Sequence, residues 1–299
     1  MSDSKTFQGG VPGVKAISPS QPPVQPHSKK RKRDAESSNT EGQRKFKKKK
    51  FKKAKKPEDI QDDALDMTAR VNHAIAHMDS RLLADHVAQR TKRFESDLSL
   101  VELEDRRSAG RHYDSILPTG LIRDTEKAIL DTTTWEKPRD LASLPEFLSQ
   151  FSEQNKGGQK LSAALKKNGS PHTIVVTGAG RRAADLTRAL RKFQTKDTMV
   201  AKLFAKHIKL TEAVETVKRN RIGIGIGTPQ RLTDLLDDGV LSTAHLKRIV
   251  IDASHIDIKK RGILDMKETE VPLVQLLARE EFKKRYGGSS DEKIELLFY

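Results

Sequence analysis

The apolar run LKRIVIDAS puts Asp252 where a strand would end. A carboxylate there can hold Mg²⁺ through a water, and a following glutamate would then activate a water for hydrolysis. Here Asp252 is followed by Ala253, Ser254 and His255, and methyl and hydroxyl groups cannot serve as that base. A second stretch, VVTGAGRRAADL, sets Gly178 and Gly180 between an expected strand and an expected helix, with Ala183 completing G-x-G-x-x-A. Those glycines would let backbone approach a dinucleotide pyrophosphate at a helix N-terminus. The next strand should then supply an acid for the ribose, but TMVAKLFAKH offers Lys202, Lys206 and His207. None of Tyr113, Tyr286 and Tyr299 has a lysine four residues later, as a short-chain reductase would want. An NAD(P)-linked oxidoreductase therefore rests on the two glycines alone. In a third stretch, GIGTPQRLTDLLDDG, Thr228 and Arg231 flank Pro229 where a strand gives way to a helix. Proline presets the first turn, and a threonine and an arginine there could hold a phosphate, or simply start a helix well.

These residues need elements to position them. The chain has 299 residues, with 57 Lys+Arg against 41 Asp+Glu for a formal charge of +16. The excess is uneven: 17 of the basic residues but only 4 of the acidic ones lie up to Lys56. A nearly neutral body with a cationic arm is the pattern of a protein that meets a polyanion through its tail. With no cysteine, disulfides, thiolate zinc sites and thiol catalysis are excluded. No apolar stretch reaches the ~20 residues of a membrane span, so a soluble intracellular protein without membrane contact is expected.

Residues 1–56 are poor in aliphatics and are expected to be disordered. Within them, Lys29, Lys30, Arg31, Lys32 and Arg33 form one basic cluster. Arg44, Lys45, Lys47, Lys48, Lys49, Lys50, Lys52 and Lys53 dominate a second. Both resemble nuclear-import signals, and the second, with Phe46 and Phe51 interleaved, is also a candidate RNA-binding arm. From Pro57 to about Phe94, Met67, Val71, Ile75, Met78 and Leu82 recur at helical spacing. They predict a long amphipathic helix, within a helical region over 57–111, that extends from the body and packs on a partner. His73 and His77 fall i, i+4 on it, a metal-ligand spacing, but no third ligand is marked and no metal is expected. Trp135 is read as a packing anchor, and the Leu-Pro-x-Phe-Leu run behind it as a short helix entering the core. From Pro171 strands and helices alternate, each strand almost continuously apolar. This predicts a three-layer α/β domain around a parallel sheet, within 112–299.

The order of these pieces resembles the first RecA-like domain of DEAD-box RNA helicases over Pro171–Tyr299. TIVVTGAGRRAADL is similar to their L-T-P-T-R-E-L-A segment, GTPQRLTDLL to A-T-P-G-R-L-x-D-L-L, and VIDASH to V-L-D-E-A-D. By that resemblance Thr228 and Arg231, and one of Arg181 and Arg182, correspond to residues touching the RNA backbone, and Asp252 is a vestigial Walker B aspartate. The departures matter more. No G-x-x-x-x-G-K-[ST] precedes this region; in NKGGQKLSAAL, Lys160 is followed by Leu161. Gln230 replaces the motif's glycine, and no room is expected for a second RecA-like domain.

Tail, linker and eroded motifs together resemble the Cms-type degenerate DEAD-box proteins, nucleolar factors of the early small-subunit pre-ribosome. The resemblance implies a non-catalytic pseudo-helicase without cofactor, nuclear and nucleolar, binding pre-ribosomal RNA and proteins as a monomer within a large ribonucleoprotein. The alternative is a regulatory module that docks on an active helicase without touching RNA.

Overall fold

The computed structural model describes residues 64–96, 126–153, 160–163, 165–205, 208–287 and 292–299. Both basic clusters of the first 56 residues lie outside them. The described part opens with a short antiparallel hairpin, β1 (Leu65–Asp66) and β2 (Val71–Asn72). A 3₁₀ turn over His73–His77 and helix α1 (Ser80–Ser96) follow.

The expected continuous helix from Pro57 is therefore corrected over residues 64–79, and the cause is local side-chain chemistry. Asp66 Oδ1 accepts the backbone N–H groups of Thr68 (2.8 Å) and Ala69 (2.9 Å), closing a turn that competes with a helix. Arg70 takes a left-handed φ of 57°. Asn72 then caps the 3₁₀ turn by accepting from Ala74 N, and Asp79 caps α1 by accepting from Leu82 N at 2.8 Å. The apolar stripe splits accordingly. Val71 and Ile75 are buried, while Met67 and Leu82 are 41% and 53% exposed. The 3₁₀ turn also denies His73 and His77 the i, i+4 stacking of an α-helix.

The next helix among the described residues is α2 (Leu144–Glu153), and then come β3 (Thr173–Val176), α3 (Gly180–Leu190) and β4 (Met199–Leu203). The alternation continues with α4 (Leu210–Arg219), β5 (Ile222–Gly227), α5 (Pro229–Asp237) and β6 (Arg248–Ile251). It closes with α6 (Lys267–Leu277), α7 (Glu280–Lys283) and β7 (Glu295–Phe298). Helix α6 begins five residues before its Pro272, which stands inside it. The proline removes only the bond that would run back to the Glu268 carbonyl.

Strands β3 to β7 form one parallel sheet in the order β4-β5-β3-β6-β7. Because side chains alternate along a strand, Ile174 and Val176 join one apolar cluster and Val175 the other. The first cluster lies under α1, α4, α5 and α6, and the second under α2 and α3. Both faces are covered, so the expected three-layer parallel α/β architecture is present. In β5 the register shifts so that Gly223 has no partner on β4. The phase of alternation flips there, and Ile222 falls in the first cluster while Ile224 and Ile226 fall in the second.

Helix α1 does not reach outward. Leu83, Ala84 and Phe94 bury one side of it, and it packs along α6 of its own domain. Arg90 pairs with Asp265 at 2.9 Å, and the Thr91 hydroxyl meets the buried Glu270 carboxyl. Trp135 is the anchor expected: it meets Phe147 edge-on at 5.5 Å and Phe151 at 6.5 Å.

Candidate functional site

In an open parallel sheet, ligands bind beyond the C-terminal strand ends where the order of connections reverses. Here that point lies between β3 and β6: from β3 the chain runs outward to β4, returns through β5 and then crosses to β6. Thr177 follows β3 and Asp252 follows β6, side by side because Val176 pairs with Ile251. Asp252 is 2% exposed. Its Oδ2 accepts from the Thr177 hydroxyl at 2.7 Å and from Arg182 Nε at 3.0 Å, and its Oδ1 accepts from Arg182 Nη2 at 2.9 Å.

Arg182 reaches this position from the first turn of α3, and its side chain is only 10% exposed. Burial works against its charge, but the Asp252 carboxylate outweighs that, and the guanidinium pKa is raised. His255, half-buried beyond, is held below the usual imidazole pKa, chiefly by desolvation. The residue that should be a glutamate, Ala253, is a buried methyl.

This geometry does not fit a water-bridged Mg²⁺ and its nucleotide. Both carboxylate oxygens are already taken, and a full positive charge occupies the place a cation would take. The dinucleotide reading fits no better. A side chain on Gly178 would meet Thr269 Cγ2 at 3.3 Å and Ile263 at 3.6 Å, so the first turn of α6 and the loop before it cover that glycine.

Of the four residues read as RNA contacts in the domain, the structure treats each differently. Arg182 is consumed by Asp252, whereas Arg181 beside it is exposed. Thr228 follows β5 and precedes α5, half-buried, with no capping bond from its side chain. Arg231 turns inward, 7% exposed, and donates from both Nη atoms to the Ile208 carbonyl at 3.1 Å each. It fastens α5 to the segment before α4 rather than facing solvent. Gln230 is exposed and bonds Asp234 Oδ1 at 3.0 Å. Among the described residues no cluster of His, Cys, Asp and Glu could hold a metal ion, and no helix is long and apolar enough to cross a membrane.

Sequence reasoning missed Arg139. It is 1% exposed and donates to the carbonyl of Thr132 (3.1 Å), the Thr132 hydroxyl (2.9 Å), the Phe298 carbonyl and, at 3.5 Å, the Ala76 carbonyl. Desolvation pulls its pKa down to about 10. Nothing in KPRD distinguishes it from a surface arginine.

Fold and site together define a parallel α/β domain whose switch-point carboxylate is neutralised from within. The family described as CMS1, U3-containing 90S pre-ribosomal complex subunit, matches residues 25–299, and the chain belongs to that family. Protein CMS1 of Chaetomium thermophilum is 51% identical over 247 residues, 82% of this chain and 90% of that one. Protein cms1 of Schizosaccharomyces pombe is 29% identical, over 73% of this chain and 69% of that one. Human protein CMSS1 is 30% identical over 52% of this chain and 55% of its own length. Among solved structures, the yeast DEAD-box splicing factor Prp28 matches with a TM-score of 0.34 and 17% identity, covering 43% of this chain and 27% of that one.

Proposed function

We propose that this chain is a non-catalytic ribosome-biogenesis factor, a pseudo-helicase of the early small-subunit pre-ribosome that works in the nucleolus by binding RNA and protein. The observation that carries the reading is the Arg182–Asp252 pair: the fold keeps its ligand-binding crevice, and the protein's own guanidinium fills it. Membership of a family described as a 90S pre-ribosomal complex subunit supports that assembly as its place of work. The domain remains useful as a shaped body: a rigid sheet presenting Arg181 and Thr228 along its C-terminal edge, joined to the arm of basic clusters at Lys29–Arg33 and Arg44–Lys53. No cofactor is required in this role, and the chain acts as a monomer within the particle.

UV crosslinking in cells with the tagged full chain tests this. Reads concentrated on precursor ribosomal RNA, with crosslinked peptides from the tail and from the segments holding Arg181 or Thr228, are expected. ATP turnover that is abolished by Asp252→Ala would overturn it.

One observation favours the second reading, docking on an active helicase without RNA contact: Arg231 faces the Ile208 carbonyl instead of solvent. Replacing residues 1–56 with an unrelated import signal separates the two. Retained function supports protein docking, and lost function supports RNA gripping by the arm.

A further inference from the structure

The opposite edge of the sheet carries a feature that none of the three helicase-like motifs quoted above reaches. Three connections meet at the N-terminal strand ends: the loop before β3, the loop from α3 to β4, and the turn from α4 to β5. Between them lies an open cleft of about 450 Å³ lined by Asn168, Gln194 to Met199, and Arg219 to Arg221. Its walls are almost entirely hydrogen-bonding groups: three amides, threonine hydroxyls and the cations Lys196, Arg219 and Arg221, with Met199 the apolar exception.

The cleft is held by its own backbone and amide bonds. Asn168 Nδ2 donates to the Lys218 carbonyl (3.0 Å) and Asn220 Nδ2 to the Thr216 carbonyl (2.8 Å). Thr195 Oγ1 accepts from Asp197 N and Thr198 N, both at 3.2 Å, which sets the α3–β4 loop as a formed turn. Lys196 and Arg221 are exposed on these fixed loops, and among the described residues neither has a partner side chain. Two acids stand nearby, Asp197 in the lining and Glu215, which pairs with Arg219 at 3.3 Å. Lys166, Lys167, Arg191, Lys192 and Lys218 are exposed in or beside the same connections. Cations at the C-terminal ends of α3 and α4 offset the helix dipoles, which accounts for Lys218 and Arg219. It does not account for Lys196 and Arg221, which stand in loops.

We propose that this cleft binds the sugar–phosphate backbone of RNA, as a second contact on the edge opposite Arg181 and Thr228. Strands of four to six residues separate the two edges by about 13–20 Å. The chemistry of the lining chooses the occupant. Phosphate is held by Arg, Lys, Thr, Asn and Gln donors, the set found here, whereas the centre of a protein interface is apolar and poor in charge. The inference does not depend on the helicase-like face holding RNA.

The test uses the full chain, tail included, and compares two variants with the native protein on a single-stranded mixed-sequence RNA. One carries Lys196→Gln, Arg219→Gln and Arg221→Gln; the other, a charge-matched control, carries Lys137→Gln, Lys259→Gln and Lys284→Gln. Removing three phosphate contacts should flatten log K against log salt by about two units, so that ~16-fold less affinity is lost between 50 and 200 mM salt. The control should keep the native slope, and crosslinked peptides spanning Gln194–Arg221 should vanish only in the cleft variant. An unchanged slope in the cleft variant, an equal change in both, or no native crosslink to this segment would each overturn the proposal. Loss of an acidic protein neighbour without change in the RNA slope would overturn it in favour of protein docking. Peptides around Arg181 and Thr228 report separately on the other face.

Discussion

The guanidinium of Arg182 spans both oxygens of Asp252, Nε to Oδ2 at 3.0 Å and Nη2 to Oδ1 at 2.9 Å, with the carboxylate closed off from solvent. A planar fork on a carboxylate is the strongest ordinary arrangement of an ion pair. Its worth is seen when it is broken. Arg182→Ala strands a buried charge and should cost about 3–5 kcal/mol in urea unfolding. The double variant Arg182→Ala with Asp252→Ala should be destabilised by less than Arg182→Ala alone, and a double-mutant cycle reads that coupling directly.

A second buried polar chain predicts acid sensitivity. Arg248 Nη1 donates to Thr173 Oγ1 at 3.3 Å, and that hydroxyl lies 2.8 Å from His172 Nδ1. His172 Nε2 lies 3.2 Å from the Leu161 carbonyl, which can only accept, so Nε2 carries the proton and Nδ1 accepts from Thr173. Desolvation first, and then the charge of Arg248, push the His172 pKa down to about 4. The folded pKa lies below the unfolded one, so the stability it contributes is complete above about pH 6.5 and falls as pH drops toward 4. That window is worth roughly 3 kcal/mol. Urea midpoints across it should decline in the native chain, and the decline should be shallower in His172→Gln.

Glu270 has the opposite sign. It is fully buried, and its Oε1 meets the Thr91 hydroxyl while Oε2 has no partner among the described residues. Desolvation raises its pKa against the lowering by Thr91. A raised folded pKa means that the contribution is complete at low pH and lost as pH climbs past the ordinary carboxylate range. Glu270→Gln should therefore be more stable than the native chain at about pH 8, with the gap closing toward about pH 4. Denaturant titrations at the two ends measure it.

Gly227 tests the packing of the sheet beside Thr228. A Cβ there would lie 2.2 Å from the Leu203 carbonyl oxygen and 2.9 Å from Leu232 Cγ. The first obstacle is backbone of the neighbouring strand and cannot swing away. Gly227→Ala should cost about 3 kcal/mol by overpacking, visible as a lowered urea midpoint.

The sheet was legible because buried parallel strands have nowhere to put polar residues. TIVV, RIVI and ELLF announce themselves, and each of the helices between them carries an apolar stripe. The switch-point aspartate was legible for the same reason, as the polar residue that ends such a run. Its partner was not. Arg181 and Arg182 are identical in type and adjacent, and only the angle at which α3 leaves Gly180 decides that one points down to Asp252 and the other out to solvent. The amphipathic helix from Pro57 failed at Asp66, Asn72 and Asp79, three short side chains whose local bonds to backbone interrupt a periodicity that is present in the letters. Arg231 was legible as a residue at a helix start but not as a donor to Ile208, because that carbonyl comes from 23 residues upstream.

Arg139 joins three stretches of chain that are made at very different times. Its carbonyl partners belong to Ala76, Thr132 and Phe298, and the last of these lies 159 residues beyond it. At ribosomal elongation rates of roughly 5–20 residues per second, the arginine waits about 8–30 s between its own synthesis and that of the final strand. During that interval the arginine has its Thr132 acceptors but not the Phe298 carbonyl. The burial of this charge is thus completed only once the chain has delivered β7, and a translation product interrupted before that strand would hold an arginine short of one acceptor.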